Sequence, residues 1–379
     1  MANPQSIDHC SNTWEPQINA DERRSKLAKY IQLLFCIRVN LRSSAVAKIL
    51  IAMRWLEQHW YRKTQVSLLL LPVSWIYCVL MALRRYLYRV GIFSAVRLSV
   101  PVIVVGNITV GGSGKTPFVI WLADYLQQRG MRPGIVLRGY GGSAVDWPHV
   151  VTPLFDTDVV GDEAVMLARQ SHCPVAADPD RVRGAELLVQ KHQCDVIVSD
   201  DGLQHLRLAR DIEIAVIDGN RRFGNGYCLP AGPLREPVSR LRDVSLCITN
   251  GVAPPGELAM TLAETGLYRV NAPDIHGSIE LFAGKTVHAL AGIGHPERFF
   301  SHLRKLGLKV IEHPFPDHYR FRPADIRFSG KLPVIMTQKD AVKCERFAGD
   351  DYWYLAIEAR PDARVGEEIW RRLKEKLLG

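Results

Sequence analysis

Thr109-Val-Gly-Gly-Ser-Gly-Lys-Thr116 stands between an apolar run, Pro101-Val-Ile-Val-Val105, and a helix-patterned run from Phe118 to Gln128. Strand, glycine-rich loop and helix start, in that order, are how an α/β sheet presents backbone N–H groups to nucleotide phosphates. Glycines let consecutive amides converge on phosphate oxygens, and the helix dipole adds positive potential. Lys115 is placed to reach the β- and γ-phosphates and the Thr116 hydroxyl to ligate Mg²⁺. Thr109, Val110, Gly111, Gly112, Ser113, Gly114, Lys115 and Thr116 are therefore the candidate nucleotide contacts. Thr109 replaces the glycine that usually opens such a loop, but three nearby glycines supply backbone freedom. The alternative, a Gly-Ser turn with an incidental lysine, does not account for strand, Gly-Lys-Thr and helix occurring together.

The chain has 379 residues, roughly two domains' worth, and 47% hydrophobic content, ample for globular cores and unlike a disordered chain. A net charge of +9 favours an acidic partner, whether nucleic acid, anionic lipid or a phosphorylated substrate, and charge alone does not choose. The eight cysteines are scattered without Cys-x-x-Cys or zinc-like spacing, so free thiols in a reducing compartment are expected and not a metal cluster.

Residues 1–60 read as a polar tail followed by a basic, amphipathic helical segment, suited either to a membrane interface or to packing on the protein's own body. Residues 61–95 contain the most apolar stretch: Gln65 to Leu83 is uncharged and close to the ~20 residues that span a bilayer. Pro72 interrupts it, and both flanks are basic, with Arg62 and Lys63 before and Arg84, Arg85 and Arg89 after. That symmetry suits a segment lying on or dipping into one leaflet, and a spanning helix stays open. No cleavage signal marks it as a secretory leader.

Beyond the glycine loop, strand-like runs (Gly134–Leu137, Pro174–Ala177, Asp195–Val198, Ile212–Ile217) alternate with helical ones (Asp162–Gln170, Arg183–His192). This predicts a doubly wound parallel sheet covered on both faces, a P-loop NTPase-like domain over 96–272. Pro/Gly-rich breaks around 251–256 and 271–277 precede a second alternation, which predicts a smaller α/β domain over 273–379.

Val196-Ile-Val198 ends in Ser199-Asp200-Asp201. Acids at the C-terminal end of a buried strand are where such a sheet presents its Mg²⁺-side carboxylates, so Asp200 and Asp201 are the metal candidates beside Thr116. Gly161-Asp162-Glu163 opens a helix; its acids either complement the dipole or supply the carboxylate that accepts a hydroxyl proton. Asp317-His318-Tyr319, in a proline-flanked loop, offers a histidine partner or an ordinary surface histidine. Arg138-Gly-Tyr-Gly-Gly142 and Gly202-Leu-Gln-His205 follow strands on the same expected edge, which makes Arg138, Tyr140 and His205 candidate substrate contacts. Pro230-Ala-Gly-Pro-Leu-Arg-Glu236 is a stiff turn whose Arg235 and Glu236 either bind phosphate or form a salt bridge, the simpler reading.

Taken together, these motifs resemble the tetraacyldisaccharide 4'-kinase family of lipid A biosynthesis. The likeness runs from about Leu70 to beyond Lys343: Leu71-Pro-Val-Ser-Trp-Ile-Tyr77, Val104 to Pro117, Leu137 to Gly142, Gly161-Asp-Glu163, Ser199 to His205, Leu229 to Pro237, Ala291-Gly-Ile-Gly294 and Thr337-Gln-Lys-Asp-Ala-Val-Lys343. The resemblance implies transfer of the ATP γ-phosphoryl group, with Mg²⁺, to the 4'-hydroxyl of a tetraacylated glucosamine disaccharide 1-phosphate at the cytoplasmic face of a Gram-negative inner membrane. It implies that Lys115 stabilises the transferring group, that Asp200 and Asp201 support metal and nucleotide, that Asp162 acts with His318 as base, and that Arg138, Tyr140, His205 and Glu236 line the cleft. The partners implied are the lipid acceptor and a membrane surface, with no nucleic acid and no obligatory protein partner. Ala164 follows Asp162-Glu163 where the family pattern has proline, which leaves the carboxylate in place; the segment before about Trp60 has no counterpart.

Two rivals fit less well. A membrane-associated GTPase wants Asn/Thr-Lys-x-Asp, and Thr337-Gln-Lys-Asp340 carries its lysine one place late. A nucleic-acid binder would use the positive charge, but no recognisable binding module accompanies it.

Overall fold

The computed structural model describes residues 56–378, so the expected tail and basic helix of residues 1–60 lie almost wholly outside the described residues. Residues 59–379 form one compact unit. Two helices, α1 (Gln65–Leu69) and α2 (Leu71–Arg89), lead into β1 (Val102–Gly106), α3 (Lys115–Gln128), β2 (Pro133–Leu137), β3 (His149–Val151), α4 (Thr157–Val160), α5 (Asp162–Gln170), β4 (Val175–Ala177), α6 (Arg181–His192), β5 (Val196–Ser199), β6 (Ile212–Asp218) and β7 (Leu246–Asn250). The chain continues with β8 (Leu258–Arg269), β9 (His276–Gly277), β10 (Thr286–Ala291), α7 (Pro296–Lys305), β11 (Lys309–Pro314), β12 (Val334–Thr337), α8 (Gln338–Cys344), β13 (Tyr352–Pro361) and α9 (Ala363–Leu378).

All thirteen strands belong to one sheet, in the order β11-β10-β12-β13-β8-β7-β6-β1-β5-β2-β4-β3, with β9 on β8. The expected parallel sheet is thus mixed: β3 runs antiparallel to β4, and β13 to β8. Buried β-branched runs such as Val102-Ile-Val-Val105 form the central strands because helices cover both faces. One core joins β1, β2, β5 and β6 to α3 and α5; the opposite face is packed by Leu188, Leu203, Leu208 and Leu234. The residue pattern missed β7, β8 and β13, which lie around or beyond the Pro/Gly breaks.

The β8–β13 ribbon sets the architecture. β7 pairs with the start of β8, at Leu258–Met260, whereas β12 pairs with the start of β13, beside the end of β8 at Leu267–Arg269. Because β8 and β13 are antiparallel, the strands on either side of them run in opposite directions and are offset along a ribbon of roughly 40 Å. The C-terminal edge of β1, β2, β5 and β6 therefore faces the C-terminal edge of β10, β11 and β12, and the loops from both edges meet in one cleft. The last helix crosses back: Val365, Ile369 and Leu373 of α9, on one helical face, are fully buried in the core of β1 and β6. The sequence-based division at residue 272 assigns that helix to the smaller part; by packing it belongs to the larger.

Among the described residues no helix is long and apolar enough to cross a membrane. Helix α2 instead lies on the larger part through a polar face. Its Ser74 hydroxyl donates to Cys228 O (2.8 Å), its Tyr77 hydroxyl to Arg235 O (2.9 Å), and Arg85 reaches Glu236 (3.5 Å). Its outward face is apolar: Val73, Trp75, Ile76, Val79, Leu80 and Leu83 are all exposed.

Candidate active site

The glycine loop leaves β1 in the middle of the larger edge. Gly114, at φ +92°, caps α3 in the left-handed region, and a Cβ there would come within 3.0 Å of Asn250 Nδ2 and Met260 Cε, so glycine alone fits without strain. Gly112 faces open space. Beneath the loop, the buried Asn107 side chain donates towards Thr109 Oγ1, Gly111 O and Ser113 Oγ at 3.3–3.4 Å. From outside, Arg221 donates to Gly112 O at 2.7 Å while paired with Asp218. Sequence reading missed both; a polar residue ending a buried strand was the available signal for Asn107.

Register places the acid pair beside this loop, since Val104 pairs with Ser199 on adjacent parallel strands. Lys115 Nζ lies 3.5 Å from Asp201 Oδ1, and Arg235 binds Asp201 Oδ2 at 2.8 Å, so Arg235 makes the salt bridge. Asp201 adopts φ +47°, a turn held by the buried Arg181, which donates to Asp200 O (3.1 Å) and Asp201 O (2.9 Å). Nothing in the sequence pattern marked Arg181. Burial pushes the Asp200 carboxyl up to about 7, reinforced by the Glu163 charge, whereas Lys115 and Arg235 overcome burial to hold Asp201 well below the usual carboxylate range. Asp200 Oδ1, Asp201 Oδ1 and Ser199 Oγ are buried without hydrogen-bond partners.

Asp162 begins α5 on the same edge. Gly161, at φ +92°, precedes it; a Cβ there would fall 2.3 Å from Tyr140 O, so glycine permits the Arg138–Gly142 loop to close on this helix start. Asp162 Oδ1 accepts from its neighbour's backbone, Glu163 N, and from His318 Nδ1, each at 3.0 Å. His318 comes from the loop after β11, at φ +56°, and thus from across the cleft. Burial opposes the Asp162 charge, but the His318 hydrogen bond and the Lys339 and Lys343 charges hold its carboxyl far below the usual range. Burial likewise lowers His318, and the Asp162 hydrogen bond more than reverses this, leaving it raised. A small, solvent-open pocket lies here, lined in part by Gly141, Asp158, Asp162, His318, Arg320 and Lys343.

The other candidates divide. Tyr140 is exposed and its ring meets His318 edge-on at 5.0 Å between centroids; Arg138 follows β2 on the same rim and is exposed. His205 is brought to the Arg181 side, where burial and the Arg181 charge lower its pKa to about 4. Glu236 is 2% exposed, accepting from Gln204 Nε2 at 2.7 Å and lying 3.4 Å from Arg240. It braces the loop that carries Arg235.

The family model LpxK, tetraacyldisaccharide-1-P 4'-kinase, matches residues 66–374. A tetraacyldisaccharide 4'-kinase of Alkalilimnicola ehrlichii is 52% identical over 308 residues, 79% of this chain and 90% of the relative. Another, of Nitrosococcus oceani, is 48% identical over 318 residues, covering 84% and 94%. The crystal structure of LpxK from Aquifex aeolicus, an "apo" form in complex with ATP, superposes with a TM-score of 0.71 at 29% identity, over 82% of this chain and 100% of that one. With its glycine loop and acid pair facing Asp162 and His318, the chain belongs to the tetraacyldisaccharide-1-P 4'-kinase family.

Proposed function

We propose that this chain transfers the γ-phosphoryl group of ATP to the 4'-hydroxyl of a tetraacylated glucosamine disaccharide 1-phosphate, forming lipid IVA for lipopolysaccharide. The observation that carries this reading is the Asp162–His318 hydrogen bond across a cleft, with Lys115 and Asp201 on the same edge as Asp162. In this reading the loop amides of Gly111 to Thr116 cradle the triphosphate, and Lys115 swings from Asp201 to the transferring group. Asp162 Oδ1 accepts from two donors, and the buried Oδ2 lies 3.7 Å from Lys343 Nζ and 4.0 Å from Lys339 Nζ; in this reading the Asp162 carboxylate takes the sugar proton as the hydroxyl oxygen attacks phosphorus and ADP leaves.

The residues suit Mg²⁺. Thr116, Asp200 and Asp201 would hold it: Asp200 Oδ1 is buried with no hydrogen-bond partner, and Asp201 Oδ1 meets only the Lys115 ammonium, at 3.5 Å. Among the described residues no group of three or more His, Cys, Asp or Glu side chains makes a complete metal cage. Mg²⁺ commonly takes only one or two carboxylates and completes its shell with phosphate oxygens and water. Bound there, it would neutralise phosphate charge during transfer.

We infer two working parts, 96–272 with α9 and the remainder of 273–379, that enclose ATP and exclude water. The lipid acceptor implies a place at the cytoplasmic face of the inner membrane, and helix α2 supports peripheral or monotopic docking on a membrane surface, because its apolar face has no cover among the described residues. A four-chain lipid leaves its bilayer at a cost of about 0.8 kcal/mol per exposed CH₂, so the enzyme goes to the substrate. Neither nucleic acid nor an obligatory protein partner enters this reading.

The test is transfer of radiolabelled γ-phosphate to lipid disaccharide acceptors in detergent. Wild-type protein labels the acceptor from ATP, and Lys115→Ala abolishes labelling with its melting temperature retained. Labelling from GTP alone, or none from either nucleotide, overturns the assignment.

A further inference from the structure

The helix that follows β12 carries a group that the reading above leaves unused. Thr337 caps α8, its Oγ1 accepting from Asp340 N (3.2 Å) and donating to Asp340 Oδ2 (2.6 Å). Asp340 Oδ2 also accepts from Gly292 N at 2.8 Å, which ties the helix to the Ala291–Gly294 loop. This fixes the face of α8 on which Lys339 and Lys343, four residues apart, point at the Asp162–His318 pair. Lys339 Nζ lies 3.1 Å from Glu163 Oε1, 3.4 Å from Asp317 Oδ1 and 3.3 Å from His318 Nε2. An ammonium has three N–H donors and no acceptor, so these three contacts match its full capacity, and a neutral imidazole that gives its Nδ1 hydrogen to Asp162 presents a bare Nε2 to it.

We propose that Lys339 is a positioning residue for phosphoryl transfer: by donating to His318 Nε2 it fixes the neutral imidazole as the Nδ1–H tautomer, and so leaves the Asp162 carboxylate as the base. This rests on the pairing of Asp162 with His318 as the proton-accepting unit. With Nε2 covered and the Nδ1 hydrogen given to Asp162, the ring has no lone pair to offer the sugar. The 4'-hydroxyl proton passes to the Asp162 carboxylate, the new O–P bond forms, and the bond between phosphorus and the β,γ-bridging oxygen breaks with its electron pair leaving on ADP. Lys343 Nζ lies 3.7 Å from Asp162 Oδ2 and 2.7 Å from Asp340 Oδ1, and Lys339 Nζ lies 4.0 Å from Asp162 Oδ2.

The groups facing His318 are Asp162 at 3.0 Å, Asp317 at 3.9 Å, Lys339 at 3.3 Å and the Tyr140 ring, with Arg320 and Lys343 across the same cavity. Burial opposes the Lys339 charge, but Glu163, Asp162 and Asp317 outweigh it and hold its pKa above the ordinary lysine value, so it remains a donor across the working pH range. Its charge also restrains protonation of His318.

Selective ¹⁵N-histidine labelling, with His318 assigned by loss of its signals in His318→Gln, reads the tautomer directly. In the intact enzyme above the His318 titration, Nδ1 carries the hydrogen and Nε2 gives a bare-nitrogen shift. In Lys339→Met the His318 titration midpoint rises, and kcat falls roughly ten- to a hundredfold while the KM for ATP stays within about threefold. Lys339→Arg retains the wild-type tautomer. An Nε2–H tautomer in the wild type overturns the proposal and requires no variant to fold; an unchanged titration midpoint in Lys339→Met overturns it as well. Asp162→Asn separates the two layers. If it keeps full activity, the pairing itself is wrong; if it is inactive while the wild type shows Nε2–H, only the lysine's role falls.

Discussion

Replacing Asp162 by asparagine keeps the side-chain shape and the backbone hydrogen bond from Glu163 N, and removes the charge and the basic carboxylate. General-base catalysis contributes typically 10²–10⁴-fold, which at about 1.4 kcal/mol per decade is roughly 3–5 kcal/mol of the barrier. The loss belongs in kcat, because the atoms proposed to grip ATP, from Gly111 to Thr116, hang on β1 and α3 and make no hydrogen bond to Asp162. The pH behaviour follows from sign. Asp162 is held below its unfolded value, so its ionised form persists from neutrality down well past pH 4, and protonation of this carboxylate does not limit the enzyme near neutral pH. Initial rates of radiolabelled transfer, with ATP and acceptor varied separately, give the split. The expected result is a kcat lower by at least a hundredfold, an ATP KM within about threefold, and an Asp162→Asn/His318→Gln double variant close to the worse single one, because both belong to one hydrogen-bonded unit. A kcat within tenfold of wild type, or equal losses in kcat and ATP binding, refutes the base assignment and leaves Asp162 a structural acid.

Gly114→Ala forces a side chain into φ +92° at about 1–2 kcal/mol and presses on Asn250 and Met260; an ATP KM raised about tenfold with a melting point lower by a few degrees is expected, and unchanged ATP kinetics would remove the loop from phosphate binding. His205, His295 and His313 are each lowered to about 4, by burial first and then by Arg181, Arg221 and His288 respectively. Between about 6.5 and 4 the unfolded chain binds these protons and the folded one does not, so the melting temperature falls as pH drops through that window and His313→Asn flattens the slope; a melting temperature constant over the window contradicts this. Trp75→Ser, Ile76→Ser and Leu80→Ser together remove about 3 kcal/mol or more of apolar contact with a bilayer, so vesicle binding should weaken about a hundredfold; sedimentation with anionic vesicles at the wild-type level rejects α2 as the docking face.

How much was legible in the sequence depends on the range over which each signal acts. The glycine loop, the Asp200-Asp201 turn and the Asp162 helix start are local: each is a strand ending or a helix beginning whose residue types announce themselves within a dozen positions. Asn107, Arg181 and Arg221 were missed because their targets are backbone carbonyls and neighbouring side chains, some of them distant in the chain, and a lone polar residue carries no periodicity. Glu236 looked like a cleft residue and is a buried brace, since its contacts with Gln204, Arg240 and Arg85 depend on how three segments close around it. By itself the sequence determined an α/β sheet, a phosphate-type loop with its acid pair and, through the motifs between Leu71 and Lys343, the family resemblance. Only the tertiary structure decided that two sheet edges face each other, that α9 returns to the first core, and that His318 and Lys339 reach Asp162, 156 and about 180 residues apart in the chain. The physical reason is the β8–β13 ribbon: pairing between strands some 90 residues apart leaves no local pattern, yet its register sets which loops share the cleft.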